Sequence, residues 1–509
     1  MNSLLQKYSE LMKTTSFNGM SEEEVVSFIV NLTEISYVLQ KIEGTNRVLD
    51  LSKNYSPIFK LTSNKSSYYY NLSVAWSDAY KFKNDKRVDL WSWVQEELEN
   101  EIYYLRVSLN SFDYKAGDKI LLAQIYTNLG NVLNTVGRFV EALNNWDKAL
   151  KAIPNFSMAL ANKGRCLFYH ASHSLYDEGH KIIFVQCAYE LCKQALSGKI
   201  TVEAKDGLLR EIEQIEKVGN TFLKHELKFK DSFDDLQEDE KKYRQWCLSN
   251  CLFLNELNEA LVHSVVAHDP LLLPDMFVET NNGTFYHNFF NQIKQEYITA
   301  RYLFFESLDV DYDNFSDKEV YLLNTLEHSI HSNRIEKKKL AYRSLYSIFD
   351  KIAFFLNTYL NFSMELHNVS FKSIWFKKDK KNLRDELLLK QNLILRGLFW
   401  LSKDLFEESF KSTIEPDAEK LVEIRNYMEH RCLKILDIEK DIQEFIGNTH
   451  NSSKNNLSLS ITKDDFDRKI LKLLKLTREA IIYLSLSVNL EERLNFDKWK
   501  GKQVASILF

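Results

Sequence analysis

Apolar residues recur along this chain at the three-and-four spacing of amphipathic helices, and few turn formers interrupt them. Near the C-terminus, Leu421, Ile424, Met428, Cys432 and Ile435 fall at 3-4-4-3 spacing and predict one helix from Asp417 to about Asp441. A later amphipathic run predicts a final helix from about Asp465 to Glu491, and the Asn- and Ser-rich stretch Asn448 to Ser460 between them reads as a loop. In the N-terminal part, Tyr126, Leu129, Gly130, Leu133, Ala142, Trp146, Ala149 and Pro154 take the positions of a 34-residue helix–turn–helix unit over 123–156. Gly164 follows Gly130 by 34 residues, which starts a second unit near Ser157, and Tyr69, Leu72, Ser73 and Trp76 fit the first helix of a more degenerate one. Such units cannot bury their apolar faces alone, so residues 1–224 are expected to stack as a helical solenoid. The charged run His225 to Lys242 opens a linking region, 225–310, in which Pro270 and Pro274 bracket an extended Leu271-Leu272-Leu273 crossing. Residues 311–509 complete an all-α chain.

Composition supports that class. The 509 residues hold only 5 prolines and 14 glycines, and 45% hydrophobic with 27% charged residues is ordinary for a soluble chain of two to four domains. Met1 to Lys13 has charges scattered through it and no apolar run, so no signal peptide is expected. The most apolar stretch, Ile348 to Leu360, is interrupted by Asp350 and Lys351, so no membrane span is expected and the cytoplasm is the expected compartment. Six cysteines at irregular spacing make no disulfide framework, and Cys247 and Cys251, four apart, read as buried thiols with no second Cys/His pair beside them. The net charge of −5 argues against a protein that coats nucleic acid wholesale. His331 to Arg384, however, carries twelve Lys/Arg against four acids. In it, Lys377, Lys378, Lys380, Lys381 and Arg384 form a compact basic segment suited to phosphate contacts, although each lysine also fits an ordinary solvated surface.

The chemistry is concentrated in Arg425-Asn426-Tyr427-Met428-Glu429-His430. At roughly 100° per residue, Asn426 and His430 point about 140–180° away from the apolar stripe and neighbour each other one turn apart. The long Arg425 side chain can swing to the same face. A guanidinium grips phosphate oxygens in a fork, and an imidazole moves a proton near neutral pH. The same short pattern also fits a merely solvated helix face. On a helix reaching Asp441, Leu433 lies within about 60° of Asn426 and His430, and Tyr427 within about 100° of each. Apolar groups beside a polar pair predict a face covered by a second copy, hence a homodimer through the C-terminal domain. No GxxxxGK[ST], HExxH, GxSxG or paired CxxC competes, which excludes the corresponding ATPase, protease and zinc chemistries.

Several stretches carry family resemblances. The 34-residue unit is similar to a tetratricopeptide repeat (TPR). From about Asn333 onward the chain resembles the HEPN superfamily, in which helical domains serve many prokaryotic RNA-cutting toxins and defence nucleases. Ala341 to Ala353, with Asp350 as its inward polar residue, resembles the long first helix; Ser373-Ile374-Trp375 follows; Gly397 to Leu405, carrying Asp404, resembles the second; and Ile424 to Arg431 resembles the Arg-Asn-x-x-x-His signature, here with Glu429 before the histidine. Upstream, Tyr243 to Leu248, Leu252 to Asn255 and Asn291 to Tyr297 resemble the segment preceding such domains in TPR–HEPN proteins, so the likeness covers about 240–509. It implies an RNA endonuclease in which Arg425 and His430 are catalytic and Asn426 orients substrate. It further implies Glu429, Asp350 and Asp404 as supporting residues, an RNA partner, a homodimer, and neither metal nor cofactor. It also implies a toxin or antiviral role, with the solenoid as sensor for a protein or peptide. The alternative is a TPR scaffold whose HEPN-like domain only dimerises. Glu429, at i,i+4 from Arg425, is placed to occupy its guanidinium at rest.

Overall fold

A computed structural model describes residues 2–53, 55, 59–84, 92–173, 178–198, 202–227, 229, 233–278, 284–309, 314–323, 329–379, 381–407, 420–437, 457–499 and 505–506. It is mostly helical and separates into two compact units, residues 1–227 with 388–397, and residues 228–387 with 398–509.

The first unit is a succession of helices: α1 (Asn2–Leu11), α2 (Glu22–Val38), α3 (Ile42–Lys53), α4 (Thr62–Asn84), α5 (Glu96–Asn110), α6 (Lys119–Thr135), α7 (Phe139–Ala152), α8 (Ser157–His173), α9 (Glu178–Leu196) and α10 (Val202–Leu223). Sequence neighbours pack in pairs, α4 on α5, α6 on α7 and α8 on α9. The 34-residue unit corresponds to α6 and α7, and α8 starts at Ser157, where the repeat spacing places it. Gly130 provides the close approach: a Cβ there would stand 2.6 Å from Nε1 of Trp146, which is fully buried. That indole instead donates to the Thr127 carbonyl at 3.2 Å and to Asn131 Oδ1 at 3.1 Å, so a small residue and a large one fit as a matched pair. Gly137, at φ +94°, makes the turn between the two helices in the left-handed region that glycine enters without strain.

The second unit holds α11 (Glu238–Ser249), α12 (Phe285–Glu306), α13 (Asn333–Tyr359), α14 (Asp385–Leu388), most of α15 (Leu393–Phe406, whose first residues belong to the first unit), α16 (Leu421–His430) and α17 (Lys463–Trp499). Helix α13 starts on an N-cap, with Ser332 Oγ accepting from the Ile335 amide. It buries Ile335, Tyr342, Leu345, Phe349, Ile352 and Leu356, a helical stripe that packs on α12 and α17. Two buried ion pairs tie the irregular 250–276 stretch to these helices. Arg301 of α12 forks onto Asp269 at 2.8 and 2.9 Å and donates to the Leu252 carbonyl, while Arg478 of α17 pairs with Glu259 and donates to the Asn255 carbonyl. In the bracketed crossing Leu271 and Leu273 are buried and Leu272 is exposed, as an extended strand would place them. Cys247 ends up buried in α11, its thiol pushed up to about 12 by that burial; Cys251 lies beyond the helix end, at φ +54°.

Two segments differ from the helical reading. The motif helix ends at His430, because Arg431 is extended (φ −147°, ψ −158°), and Cys432–Leu436 forms strand β2 (β1 being Phe277–Val278). Strand β2 pairs in parallel with β3, Ser458–Thr462, in the register Leu433 to Leu459 and Ile435 to Ile461. Residues 458–460, read as loop, are therefore strand, whereas 417–419, 438–441 and 448–456 lie outside the described residues. Strand β4 (Ala505–Ser506) pairs antiparallel with β1.

Candidate functional site

Helix α16 turns Leu421, Ile424 and Met428 inward, all buried, and leaves Asn426, Glu429 and His430 exposed. Its first turn is fixed to α13 by the buried Tyr342 hydroxyl, which donates to the Leu421 carbonyl at 2.6 Å. The half-buried Arg425 lays its guanidinium 5.7 Å over the Tyr346 ring, and Nη1 donates to Asn426 Oδ1 at 3.2 Å. Arg425 is thus held at two points and set beside the Asn426 side chain, with His430 one turn further along the same exposed side. Burial pushes the Tyr346 phenol up, Asp350 adds to this and Arg425 opposes it, so the ring is a neutral platform at physiological pH.

Glu429 does not occupy Arg425. It pairs with Arg343 of α13, with Arg343 Nε 3.1 Å from Glu429 Oε1, and Arg343 Nη2 donates to the Met428 carbonyl at 2.8 Å. Arg343 so satisfies an orphan carbonyl in the last turn of α16 and braces the helix end that carries His430. Neither Arg343 nor Tyr346 has a sequence signal for this role: each stands about 80 positions from its partner, and only the packing of α16 on α13 joins them. Leu433, expected beside the polar pair on a continuous helix, is instead buried in β2, so it contributes no apolar group to that face.

The other expected residues take structural places. Asp350 accepts from the Phe371 amide at 3.0 Å and holds the turn after α13; Asp404 is buried within α15. The basic stretch is largely neutralised from within the unit. Lys337 pairs with Glu306, Lys338 with Asp467, Lys339 with Glu336 and Lys351 with Glu296. The cations exposed to solvent concentrate in 372–381: Lys372, Lys377, Lys378 and Lys381, with Arg384 half-buried next to them; Lys380 lies outside the described residues. Here the chain doubles back, the Lys377 amide donating to the Asn382 carbonyl at 2.8 Å. Asp379 accepts from the amides of Lys381 and Asn382, which draws its carboxyl down to about 2. Lys377 pairs with Asp385 at 2.8 Å. Among the described residues no His/Cys/Asp/Glu group is arranged to hold a metal ion, and no helix is long and apolar enough to cross a membrane.

Residues 277–491 match the family model described as LA2681-like HEPN, so the C-terminal region carries a HEPN domain. The match encloses α12, α13, α15, α16, the β2–β3 pair and most of α17, and with them Arg425, Asn426 and His430. Comparisons with curated proteins and with solved structures gave no match.

Proposed function

We propose that this protein is an RNA endonuclease of the HEPN kind, with Arg425 and His430 as its catalytic residues and Asn426 as the group that orients substrate. The observation that carries this reading is the poise of Arg425. A guanidinium anchored on Tyr346 and Asn426, on the exposed side of a helix that also presents His430, is organised in advance to receive a phosphate. RNA brings its own nucleophile. The 2′-oxygen attacks phosphorus as His430 takes its proton, and the P–O5′ bond breaks. The departing 5′-oxygen receives a proton from the histidine of a second copy or from water, and Arg425 stabilises the charged phosphorane. The products are a 2′,3′-cyclic phosphate and a 5′-hydroxyl. The helical first unit, TPR-like in its 34-residue spacing, serves in this reading as a sensor for a protein segment, and the whole as a toxin or antiviral effector.

The test is direct. Wild-type protein should fragment cellular RNA and slow growth when induced, and His430→Ala should do neither. In vitro, cutting should persist in EDTA, since the proposed step uses no metal, and should stop when the cleavage-site 2′-hydroxyl is replaced by hydrogen. Equal and harmless behaviour of wild type and His430→Ala would leave a dimerising scaffold as the better description.

A further inference from the structure

Away from Arg425 and His430, the segment that follows α13 folds round a cleft of about 820 Å³. That is within the range of about 300–1,000 Å³ typical of small-ligand sites. Its walls combine two chemistries. Phe362 and Phe376 supply aromatic carbon, and Lys372, Lys377, Lys378 and Arg384 supply positive charge, with Glu365 as the acid among the lining side chains. Phe362 is thrown inward by a backbone that is left-handed on both sides of it, Asn361 at φ +55° and Ser363 at φ +52°. At Asn361 this is the common left-handed turn that ends a helix, the Phe362 amide donating to the Asn357 carbonyl at 3.0 Å, and the turn is what points Phe362 inward.

Arg384 is the most telling member. Its guanidinium stacks 5.0 Å over Phe362 and spends Nε on the Ile374 carbonyl at 2.8 Å. Nη1 and Nη2 hold no hydrogen bond among the described residues, and no carboxylate there lies within ion-pair distance. Burial draws its pKa downward, as expected for a cation partly withdrawn from water. A half-buried guanidinium with free donors, flat against an aromatic ring, is a ready acceptor of an anion attached to a planar group.

We infer that this cleft binds one unpaired nucleotide of an RNA strand, its base against Phe376 and its phosphate among Lys372, Lys378 and Arg384, whose guanidinium Phe362 backs from within. The inference rests on the proposed RNA-cutting function and adds a substrate class, single-stranded RNA, because a base inside a duplex cannot reach an aromatic wall. The cleft begins at the C-terminal end of α13, thirteen residues beyond the Tyr346 platform, or about 20 Å along the helix axis. About six stacked nucleotides span that distance at roughly 3.4 Å each. The cleft would therefore hold the strand some way from the scissile bond and set which strands are cut.

The experiment measures binding apart from cleavage. Full-length His430→Gln protein, which leaves RNA intact, is titrated against a fluorescent single-stranded oligoribonucleotide and against the same strand annealed to its complement. The single strand should bind at least tenfold tighter. Phe376→Ala should weaken the single strand by roughly five- to a hundredfold, the cost of one lost base stack, and leave the duplex unchanged. Phe376→Leu and the exposed pair Lys372→Gln/Lys378→Gln guard against misfolding: the first should lose most of the stacking gain, the second should weaken the single strand and flatten its salt dependence. Equal affinity for strand and duplex, or equal loss on both, overturns the proposal. So does a nucleoside 5′-monophosphate that binds as tightly as the strand, which would make this a free-nucleotide site, or polyglutamate that competes as well as RNA. A wild type that never cuts RNA would instead fail the Arg425–His430 reading, whatever the strand preference.

Discussion

Arginine at position 425 is asked to do what lysine cannot. Its planar group lies over Tyr346 and donates to Asn426 while keeping further N–H groups for a phosphate. Arg425→Lys keeps the charge but loses the fork, so cleavage should fall about a hundredfold with helical circular dichroism unchanged. His430→Gln keeps a polar side chain but removes the proton carrier; single-turnover cleavage should drop by about 10²–10⁴ while RNA binding stays within twofold of wild type. Arg343 acts one step further back. It touches Glu429 and the Met428 carbonyl and holds the end of α16, so in the proposed reaction it is a positioning residue. Arg343→Gln should lower kcat about tenfold at nearly constant KM, and Arg343→Lys, which retains a donor for Met428, should recover part of the loss. An unchanged kcat in Arg343→Gln would mean that α16 is held well enough by Tyr342 and its buried stripe.

Among the helices, two pairings set measurable stabilities. Gly130 and Trp146 fix the crossing of α6 and α7. Gly130→Ala gains about 1 kcal/mol of helix propensity but drives a methyl into a buried indole, an overpacking that costs about 1–3 kcal/mol. The variant should be less stable by up to about 2 kcal/mol in denaturant melts, and a stabilised variant would show that α7 shifts freely. In α5, Glu101 is buried facing α4, and desolvation pushes its carboxyl up to about 8, with Asp78 adding to this and Lys81 and Ser77 opposing it. The folded pKa thus lies above the unfolded value of about 4.3, and the folded state keeps the proton in between. Stability from this group is fully present below about pH 4.3, declines as pH rises and levels off above about 8. Glu101→Gln should match wild type near pH 4 and exceed it at pH 8–9 by on the order of a few kcal/mol. Parallel melting curves of the two proteins across that range would refute the assignment.

At the scale of the whole chain, the face proposed to be active is left open: Asn426, Glu429 and His430 are exposed, and half-buried Tyr427 has Arg431 5.1 Å over its ring. With Leu433 withdrawn into β2, the apolar contribution to a covering surface must come from elsewhere, and a second copy would bring two Arg425–His430 pairs together about a two-fold axis. Light scattering at micromolar concentration should give twice the 59.9 kDa chain mass. Activity that persists in a strict monomer would show that one pair suffices.

What the sequence by itself determined is local and periodic. The 34-residue spacing located α6, α7 and the start of α8, because the small and large residues that interlock across one helix pair lie within one short window and Gly130 recurs as Gly164. The amphipathic run of α17 and the solvent-facing side of Asn426 and His430 were legible for the same reason, whereas α13 was legible through the likeness of Ala341 to Ala353 to a HEPN first helix. The end of the motif helix was not. Cys432, Leu433, Lys434, Ile435 and Leu436 suit a continuing helix by their spacing and a strand by their alternation. The choice fell to β3, a partner more than twenty residues away that no local window contains. The basic stretch was equally ambiguous, since Glu306, Asp467, Glu296 and Glu429, which neutralise four of its cations, arrive from other helices. Tertiary packing alone put Tyr346 beneath Arg425, turned Glu429 to Arg343, and brought Phe362 beneath Arg384 in the cleft after α13, because each of these contacts joins residues whose separation along the chain carries no information about their distance in space.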